Sequence, residues 1–146
     1  MILTNRRAKF DYDLLETFEA GIMLRGSEIK SLRQGGGSIA EAYARVFNGE
    51  VWLENMNIPV YQDASYNNHE PLRRRKLLLN HSEIDEIVKG LERRGLTLVP
   101  LKLYFHQGWA KVTVALARGK KLHDKREQAA KKDAQRQMDQ ALKKYR

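Results

Sequence analysis

Cysteine is absent from this 146-residue chain, which has only three prolines and no apolar run near the roughly 20 residues that a membrane-spanning helix needs. Without cysteine, the chain can form neither a disulfide framework nor a thiolate metal site. The basic residues Arg6 and Arg7 follow a very short apolar start, which is the reverse of a signal peptide. We therefore expect a cytoplasmic protein with no membrane partner, built as one domain or as one domain with an appendage.

Acidic residues are scarce only at the end of the chain. Residues 1–117 hold 16 Lys/Arg and 14 Asp/Glu, whereas residues 118–146 hold 11 Lys/Arg and only 4 Asp/Glu. A near-neutral body with a strongly basic tail indicates a polyanionic partner, usually RNA or DNA. The alternative is a tail that only improves solubility.

The body reads mostly as strands. Apolar residues alternate from Leu14 to Leu24, with Gly21 as the expected bulge or bend. Asn48-Gly49 lies between two alternating runs and predicts a type I′ hairpin turn. A second hairpin is expected to turn near Gln107-Gly108, and Pro100 in its first strand predicts an edge or a bulge.

Two helices are predicted between these strands. The stretch "GSEIKSLRQGGG" favours a short helix that ends at the glycine run 35–37. In "NHSEIDEIVKGLERRG", Asn80 with Glu83 resembles a reciprocal N-terminal cap, and Gly95 is the expected stop. Short strands with a few helices predict a mainly β fold, a small and partly open β-barrel with helices over its ends. The OB-fold is the common nucleic-acid-binding member of that class.

The tail has little to bury. From Glu127 onward, mostly small apolar residues recur at helical spacing among Lys, Arg, Gln and Asp. A polar helix of about 20 residues is marginal alone in water. We expect a barrel at residues 1–117 and, at 118–146, a basic joint and tail that is disordered when free and helical along a polyanion.

Signals of catalysis are few. The four histidines are His69, His81, His106 and His123, and they show no metal-ligand spacing. There is no phosphate-binding loop of the Walker or dinucleotide type. We therefore predict neither an enzyme nor a cofactor or metal site.

Two basic clusters could contact RNA. Arg73–Lys76 precedes three leucines, and alternation in a strand would leave some of these cations in solvent beside Leu78. Guanidinium groups suit phosphates because they donate in a planar fork. The second cluster, Gly119–Arg126, joins the body to the tail and adds the imidazole of His123, which could stack on a base. An ordinary solvated charge run and a flexible joint are the alternatives.

Four stretches resemble one known family: "NRRAKFDYDLLETFEAGIMLRGSEIKSLRQG", "SIAEAYARVFNGEVWLENMNIPVY", "RRRKLLLN" and "GLTLVPLKLYFHQGWAKVTVALARGKKLHDKR". They are similar to the SsrA-binding proteins, also called small protein B, the bacterial partners of transfer-messenger RNA. The resemblance covers nearly the whole body up to Arg126.

This resemblance implies an OB-like barrel with three helices and a non-catalytic role in ribosome rescue. Such proteins bind the transfer-RNA-like part of transfer-messenger RNA and deliver it to stalled ribosomes for trans-translation. The tail would occupy the decoding centre and the empty messenger channel. Further partners, reached through the RNA, would be elongation factor Tu and alanyl-tRNA synthetase, and the protein is expected to be a monomer.

The resemblance also suggests site residues. Glu19 and Leu78 match residues that hold the RNA, although a carboxylate repels phosphate, so Glu19 could contact RNA directly or be structural. Further RNA-binding residues are expected at Asn5, Tyr12, Lys30, Arg33, Arg73, Arg75, Lys76, Lys120 and Lys121. The decoding-centre residues would be His123, Asp124, Lys125 and Arg126, and the messenger-channel residues Lys131, Lys132, Arg136, Lys143 and Lys144.

Two other functions remain open from the residues alone. One is an RNA-binding structural component of the ribosome, which would be stoichiometric on all ribosomes. The other is a nuclease or phosphodiesterase that uses His69 or His123 and would fail when its histidine is replaced.

Overall fold

A computed structural model describes residues 2–61, 68–120 and 135–137 of the chain. The strands are β1 (Ile2–Thr4), β2 (Tyr12–Ile22), β3 (Tyr43–Phe47), β4 (Glu50–Glu54), β5 (Arg75–Leu78), β6 (Thr97–His106) and β7 (Trp109–Gly119). The helices are α1 (Ala8–Asp11), α2 (Gly26–Arg33) and α3 (His81–Arg93), and residues 135–137 are also helical. No helix in these ranges is long and apolar enough to cross a membrane.

The sheet curves round until its strands meet again. Its hydrogen-bonded order is β1-β6-β3-β4-β5-β2-β7, with β7 pairing again with β6, and every pairing is antiparallel. The contact between β3 and β6 consists of one pair, Ala44 opposite Leu98. The sheet is therefore only partly closed, and the predicted mainly β, partly open architecture is confirmed.

The core fills the inside of this curved sheet. Alternate residues of the strands point inward, as a half-buried strand requires. α3 adds Ile87 to the same core, and α2 adds Leu32. The buried side chains without solvent contact include Val51, Leu53, Leu98, Leu103, Val112 and Val114.

Both predicted hairpin turns are confirmed. Asn48 and Gly49 have φ of 51° and 73°, and Gln107 and Gly108 have φ of 51° and 81°. A type I′ turn needs positive φ at both central residues, which glycine adopts without strain. The turns connect β3 to β4 and β6 to β7.

The bulge expected at Gly21 is wrong. Gly21 pairs regularly on both sides, with Leu78 of β5 and with Lys111 of β7. The register of β2 shifts instead between Leu14 and Glu16. A Cβ at Gly21 would lie 3.4 Å from the Leu78 Cβ, which is an ordinary van der Waals distance, so the regular pairing of this strand does not depend on glycine. The irregularity expected at Pro100 is confirmed, since the register between β6 and β7 shifts directly after it.

The predicted start and stop of α3 are also confirmed. The Asn80 backbone N–H donates to Glu83 at 3.1 Å before α3, as in a capping box. Gly95 has φ of 62° directly after α3 ends.

The division of the chain at residue 117 stays a prediction. β7 continues past it through Arg118 and Gly119, which pair with Asp13 and Tyr12.

Candidate nucleic-acid interface

Glu19 and Leu78 lie on the same outer face of the sheet. Glu19 and Gly21 point outward from β2, and Gly21 is directly opposite both Leu78 and Lys111. Glu19 is opposite Thr113 of β7. Glu19 and Leu78 are 59 positions apart in sequence, yet they lie close together on the outer face formed by β5, β2 and β7.

The carboxylate of Glu19 is held by two hydroxyl groups. Thr113 Oγ1 donates to it at 2.7 Å, and the Tyr104 hydroxyl donates a second, short hydrogen bond. Partial burial raises the pKa of Glu19, but these two bonds and the nearby Lys102 and Lys111 outweigh it, so the net pKa is lowered. Glu19 is therefore a fixed, exposed anion that orients its neighbours and still presents carboxylate oxygen to solvent.

An apolar groove begins beside Leu78. Its volume is about 480 Å³, and its walls include Met23, Leu78 and Trp109. These side chains are 53%, 48% and 72% exposed, respectively. Lys111 lines the same groove. Exposed apolar surface beside a cation suits a nucleotide, because the base can stack while the phosphate meets the ammonium group.

Arg75 is not part of this surface. Its side chain is fully buried, and Nε donates to Glu28 Oε2 at 2.5 Å while Nη1 donates to the Met56 carbonyl at 2.6 Å. Arg73 donates to the other oxygen of Glu28, also at 2.5 Å. The expectation that Arg75 contacts RNA is corrected, because a buried guanidinium whose donors are used cannot reach a phosphate.

The buried Glu28 explains this arrangement. Its Oε1 also accepts from the Arg25 backbone N–H at 2.7 Å, at the start of α2. Burial raises the pKa of Glu28, but the bonds from Arg25, Arg73 and Arg75 outweigh it and lower the pKa overall. One carboxylate therefore caps α2 and anchors β5 to it.

The remaining cations of that cluster reach solvent. Lys76 is half-buried and forms a salt bridge with Glu50 at 2.8 Å. Arg74 is exposed, and its guanidinium carbon lies 4.6 Å from the centre of the Trp52 ring. The predicted alternation of faces along β5 is confirmed, with Arg75 and Leu77 inward and Lys76 and Leu78 outward.

Lys30 and Arg33 are exposed on α2. Lys30 Nζ lies 5.6 Å from the centre of the Tyr61 ring, and the Arg33 guanidinium lies 5.6 Å from that of Phe105. These contacts hold both cations at the surface, where they could meet phosphate.

Asn5, Tyr12 and Lys120 meet in a separate groove of about 530 Å³. Asn5 Nδ2 donates to the Pro100 carbonyl at 3.1 Å, and Lys120 Nζ donates to the Lys9 carbonyl at 2.9 Å. Tyr43 from β3 also lines this groove. It lies where β7 ends, next to the start of the basic joint.

Most of the predicted tail residues lie outside the described residues. They are Lys121, His123, Asp124, Lys125, Arg126, Lys131, Lys132, Lys143 and Lys144. Arg136 is described, and it is exposed within the helical residues 135–137.

His69 has a structural role. It is buried, its Nε2 lies 2.8 Å from the Ile58 carbonyl, and its Nδ1 lies 2.9 Å from Ser27 Oγ. Both ring nitrogens are therefore used. Within the described ranges, no group of His, Asp and Glu side chains could hold a metal ion.

The sequence reasoning missed Lys102, Tyr104, Lys111 and Trp109. The signal was available in part, because alternation along β6 and β7 puts Lys111 and Thr113 on one face. Sequence alone could not place Lys102 and Tyr104 beside them, because the register shift after Pro100 determines which β6 residues lie opposite these β7 residues.

The chain is similar to known proteins over almost its whole length. A family model described as SmpB protein matches residues 2–144. The SsrA-binding protein of Mycobacterium leprae is 54% identical over 142 residues, which are 97% of this chain and 89% of that protein. The SsrA-binding protein of Synechococcus elongatus is also 54% identical, over 95% of this chain and 91% of that protein.

A solved structure matches the fold as well. It is described as "tmRNA-SmpB: a journey to the center of the bacterial ribosome", and one of its chains is 52% identical to this one with a TM-score of 0.68. The match covers 83% of this chain and 85% of that chain.

Proposed function

The chain belongs to the SmpB protein family, and on that basis we propose that it binds transfer-messenger RNA and delivers it to stalled ribosomes for trans-translation. The observation that carries this function is the similarity to SsrA-binding proteins across nearly the full length. The elements that build the outer face all lie within the matched residues.

We assign RNA binding first to the surface that joins Glu19 to Leu78. Its apolar groove offers stacking, Lys111 offers a phosphate contact, and the fixed carboxylate of Glu19 can accept from a base amine. Glu19 acts in two ways in this proposal, because it also orients Tyr104 and, through its charge, Lys102.

Four further cations are assigned phosphate contacts in this proposal. Lys30, Arg33, Arg73 and Lys76 supply sequence-independent phosphate contacts, and Asn5, Tyr12 and Lys120 line a second contact near the basic joint. Arg75 is left out because it is buried.

For residues 118–146 we propose a separate role as a basic joint and tail. His123–Arg126 would lie in the decoding centre, and Lys131, Lys132, Arg136, Lys143 and Lys144 would follow the phosphate walls of the messenger channel. Elongation factor Tu and alanyl-tRNA synthetase would be reached through the RNA. A ribosomal partner implies a cytoplasmic location.

We propose that this role is non-catalytic. His69, a histidine that a nuclease could have used, is buried with both ring nitrogens in hydrogen bonds. It is therefore unsuited to exchange protons with a substrate. Replacing His123, which lies outside the described residues, should change rescue without revealing any RNA cleavage.

The first test is to sequence the RNA that co-purifies with the tagged full-length protein from bacterial lysate in moderate salt. One dominant RNA with a transfer-RNA-like end and an internal reading frame is expected. A broad mixture of ribosomal and transfer RNAs would contradict the proposal. Leu78→Asp should lose this RNA, whereas Leu15→Asp, at another exposed leucine, should keep it.

A second test separates the body from the tail. Deleting residues from Glu127 onward should leave the affinity for transfer-messenger RNA within a few-fold, yet abolish peptide tagging on stalled ribosomes. Loss of RNA binding itself would contradict the proposed division of roles.

A further inference from the structure

Beyond the site around Glu19, the outer face of β3, β4 and β5 carries a cluster of aromatic rings and arginines. Phe47 and Trp52 point outward, and Phe47 is 46% exposed. The guanidinium carbon of Arg74 lies 5.5 Å from the centre of the Phe47 ring and 4.6 Å from that of the Trp52 ring. Arg45 lies 5.9 Å from the centre of the Phe47 ring.

The strand register holds these groups in place. Arg45, Trp52 and Lys76 are directly opposite one another across three neighbouring strands. Phe47 is two residues beyond Arg45 on the same face of β3. The rings and cations are therefore fixed by the backbone of the sheet.

Arg74 supplies the surplus positive charge of this face. The two carboxylates nearby are already paired, Glu54 with Arg45 at 3.0 Å and Glu50 with Lys76 at 2.8 Å. Within the described part of the chain, Arg74 has its two aromatic contacts and no salt bridge. The face is thus aromatic and net positive.

We propose that Phe47, Trp52 and Arg74 form a second nucleic-acid site, which stacks an unpaired base of a single-stranded RNA and holds its phosphate. The surplus charge of Arg74 and the exposed ring of Phe47 together favour this occupant. Exposed rings and a planar guanidinium stack on a base, while the cation attracts the neighbouring phosphate. A duplex hides the faces of its bases, so it would gain only the electrostatic part.

This inference extends the proposed function, because Lys76, one of its phosphate contacts, lies opposite Trp52, but the three residues of the second site are separate from the Glu19 site. None of the three residues Phe47, Trp52 and Arg74 lines the groove beside Leu78, and none forms a hydrogen bond with Glu19. Loss of this second site would therefore leave the first site intact.

The chain itself provides the probe. Trp52 and Trp109 are its two tryptophans, so Trp109→Phe leaves Trp52 as the single fluorescent indole. In that background, the full-length protein is titrated with a short single-stranded oligouridylate and, separately, with the same strand in a duplex. Saturable quenching of Trp52 by the single strand, with much weaker quenching by the duplex, is expected.

Two variants show which groups bind. Arg74→Lys keeps the charge but removes the planar fork, and Phe47→Leu keeps an apolar side chain but removes the ring. Each should lower the affinity reported by Trp52 about fivefold or more, since stacking contributes strongly for each base. Arg94→Lys, at the end of α3, is the matched control and should leave the affinity unchanged.

Several results would overturn the proposal. They are unchanged Trp52 emission, equal quenching by duplex and single strand, or equal effects of Arg74→Lys and Arg94→Lys. Quenching of Trp52 by ribosomal proteins free of RNA, but not by the oligouridylate, would show that the face binds a protein. If circular dichroism shows that Phe47→Leu does not fold, Arg74→Lys decides alone.

Discussion

Arg75 and Glu28 form an ion pair inside the protein, with Arg75 Nε 2.5 Å from Glu28 Oε2 and neither side chain exposed to solvent. The pair joins the start of β5 to the first turn of α2. It also explains why the cluster Arg73–Lys76 contributes less to the surface than its composition indicates. An arginine in a basic run can be a core residue when a buried carboxylate is placed to receive it.

Replacing Glu28 should therefore destabilise the fold strongly. Glu28→Gln leaves the buried guanidinium of Arg75 without a counter-charge, and the free energy of unfolding should fall by about 3–5 kcal/mol. Glu50→Gln breaks the partly exposed pair with Lys76 and should cost only about 0–1 kcal/mol. Urea unfolding of both variants measures the difference. Similar losses of unfolding free energy would show that the buried pair stabilises the fold no more than the exposed pair.

The same carboxylate should make stability sensitive to acid. Burial opposes ionisation, but the bonds from Arg25, Arg73 and Arg75 lower the folded-state pKa of Glu28 below its ordinary value of 4.5. Its stabilisation is therefore fully present above the unfolded pKa and is lost as the pH falls through the lowered folded pKa. Urea unfolding across this acid range should show a steep loss for the wild type.

Glu28→Gln serves as the control for that measurement. Glutamine does not titrate, so the unfolding free energy of this variant should depend less on pH in the same range. An equally steep curve would mean that other carboxylates cause the acid sensitivity.

The contact of α3 with β7 leads to a prediction that helix propensity alone would reverse. Alanine is about 1 kcal/mol better than glycine within a helix. At Gly90, however, a Cβ would lie 2.8 Å from one methyl group of the buried Leu116 and 3.0 Å from the other. Overpacking of this kind typically costs about 1–3 kcal/mol, so Gly90→Ala should lower the melting temperature.

Gly26 offers the matched substitution. It begins α2, and a Cβ there would meet nothing within 4 Å. Gly26→Ala should leave the melting temperature unchanged or raise it slightly. If Gly90→Ala also raised it, Leu116 would be able to move aside.

Lys111 should contribute to RNA affinity if the proposed function holds. It lines the groove beside Leu78 and helps to lower the pKa of Glu19. Lys111→Gln should weaken binding of transfer-messenger RNA and reduce the slope of log affinity against log salt by about one, because one fewer counterion is released.

Lys89→Gln provides the comparison, since Lys89 is exposed on α3. It should leave both the affinity and the salt slope unchanged. An unaltered slope in Lys111→Gln would mean that Lys111 contacts no phosphate.

Local chemistry was enough to predict the two hairpins, the two longer helices and the mainly β class. Asn48-Gly49 predicts its turn because few residues adopt positive φ, and Asn80 with Glu83 predicts a helix start because the two can cap each other. The resemblance on which the RNA-binding prediction rests also came directly from sequence. Its individual site residues and the role of the tail stay predictions.

Long-range pairing decided the rest. Arg73, Arg74 and Arg75 are chemically alike and adjacent, yet one is half-buried, one lies over Trp52 and one is in the core. The burial and contacts of each arginine depend on the register of β5 against β4 and on where α2 places Glu28. In the same way, Glu19, Leu78 and Lys111 become neighbours only because Gly21 pairs with β5 on one side and β7 on the other. A linear pattern carries the period of each strand, but the partner of each strand is chosen by the packing of the whole sheet.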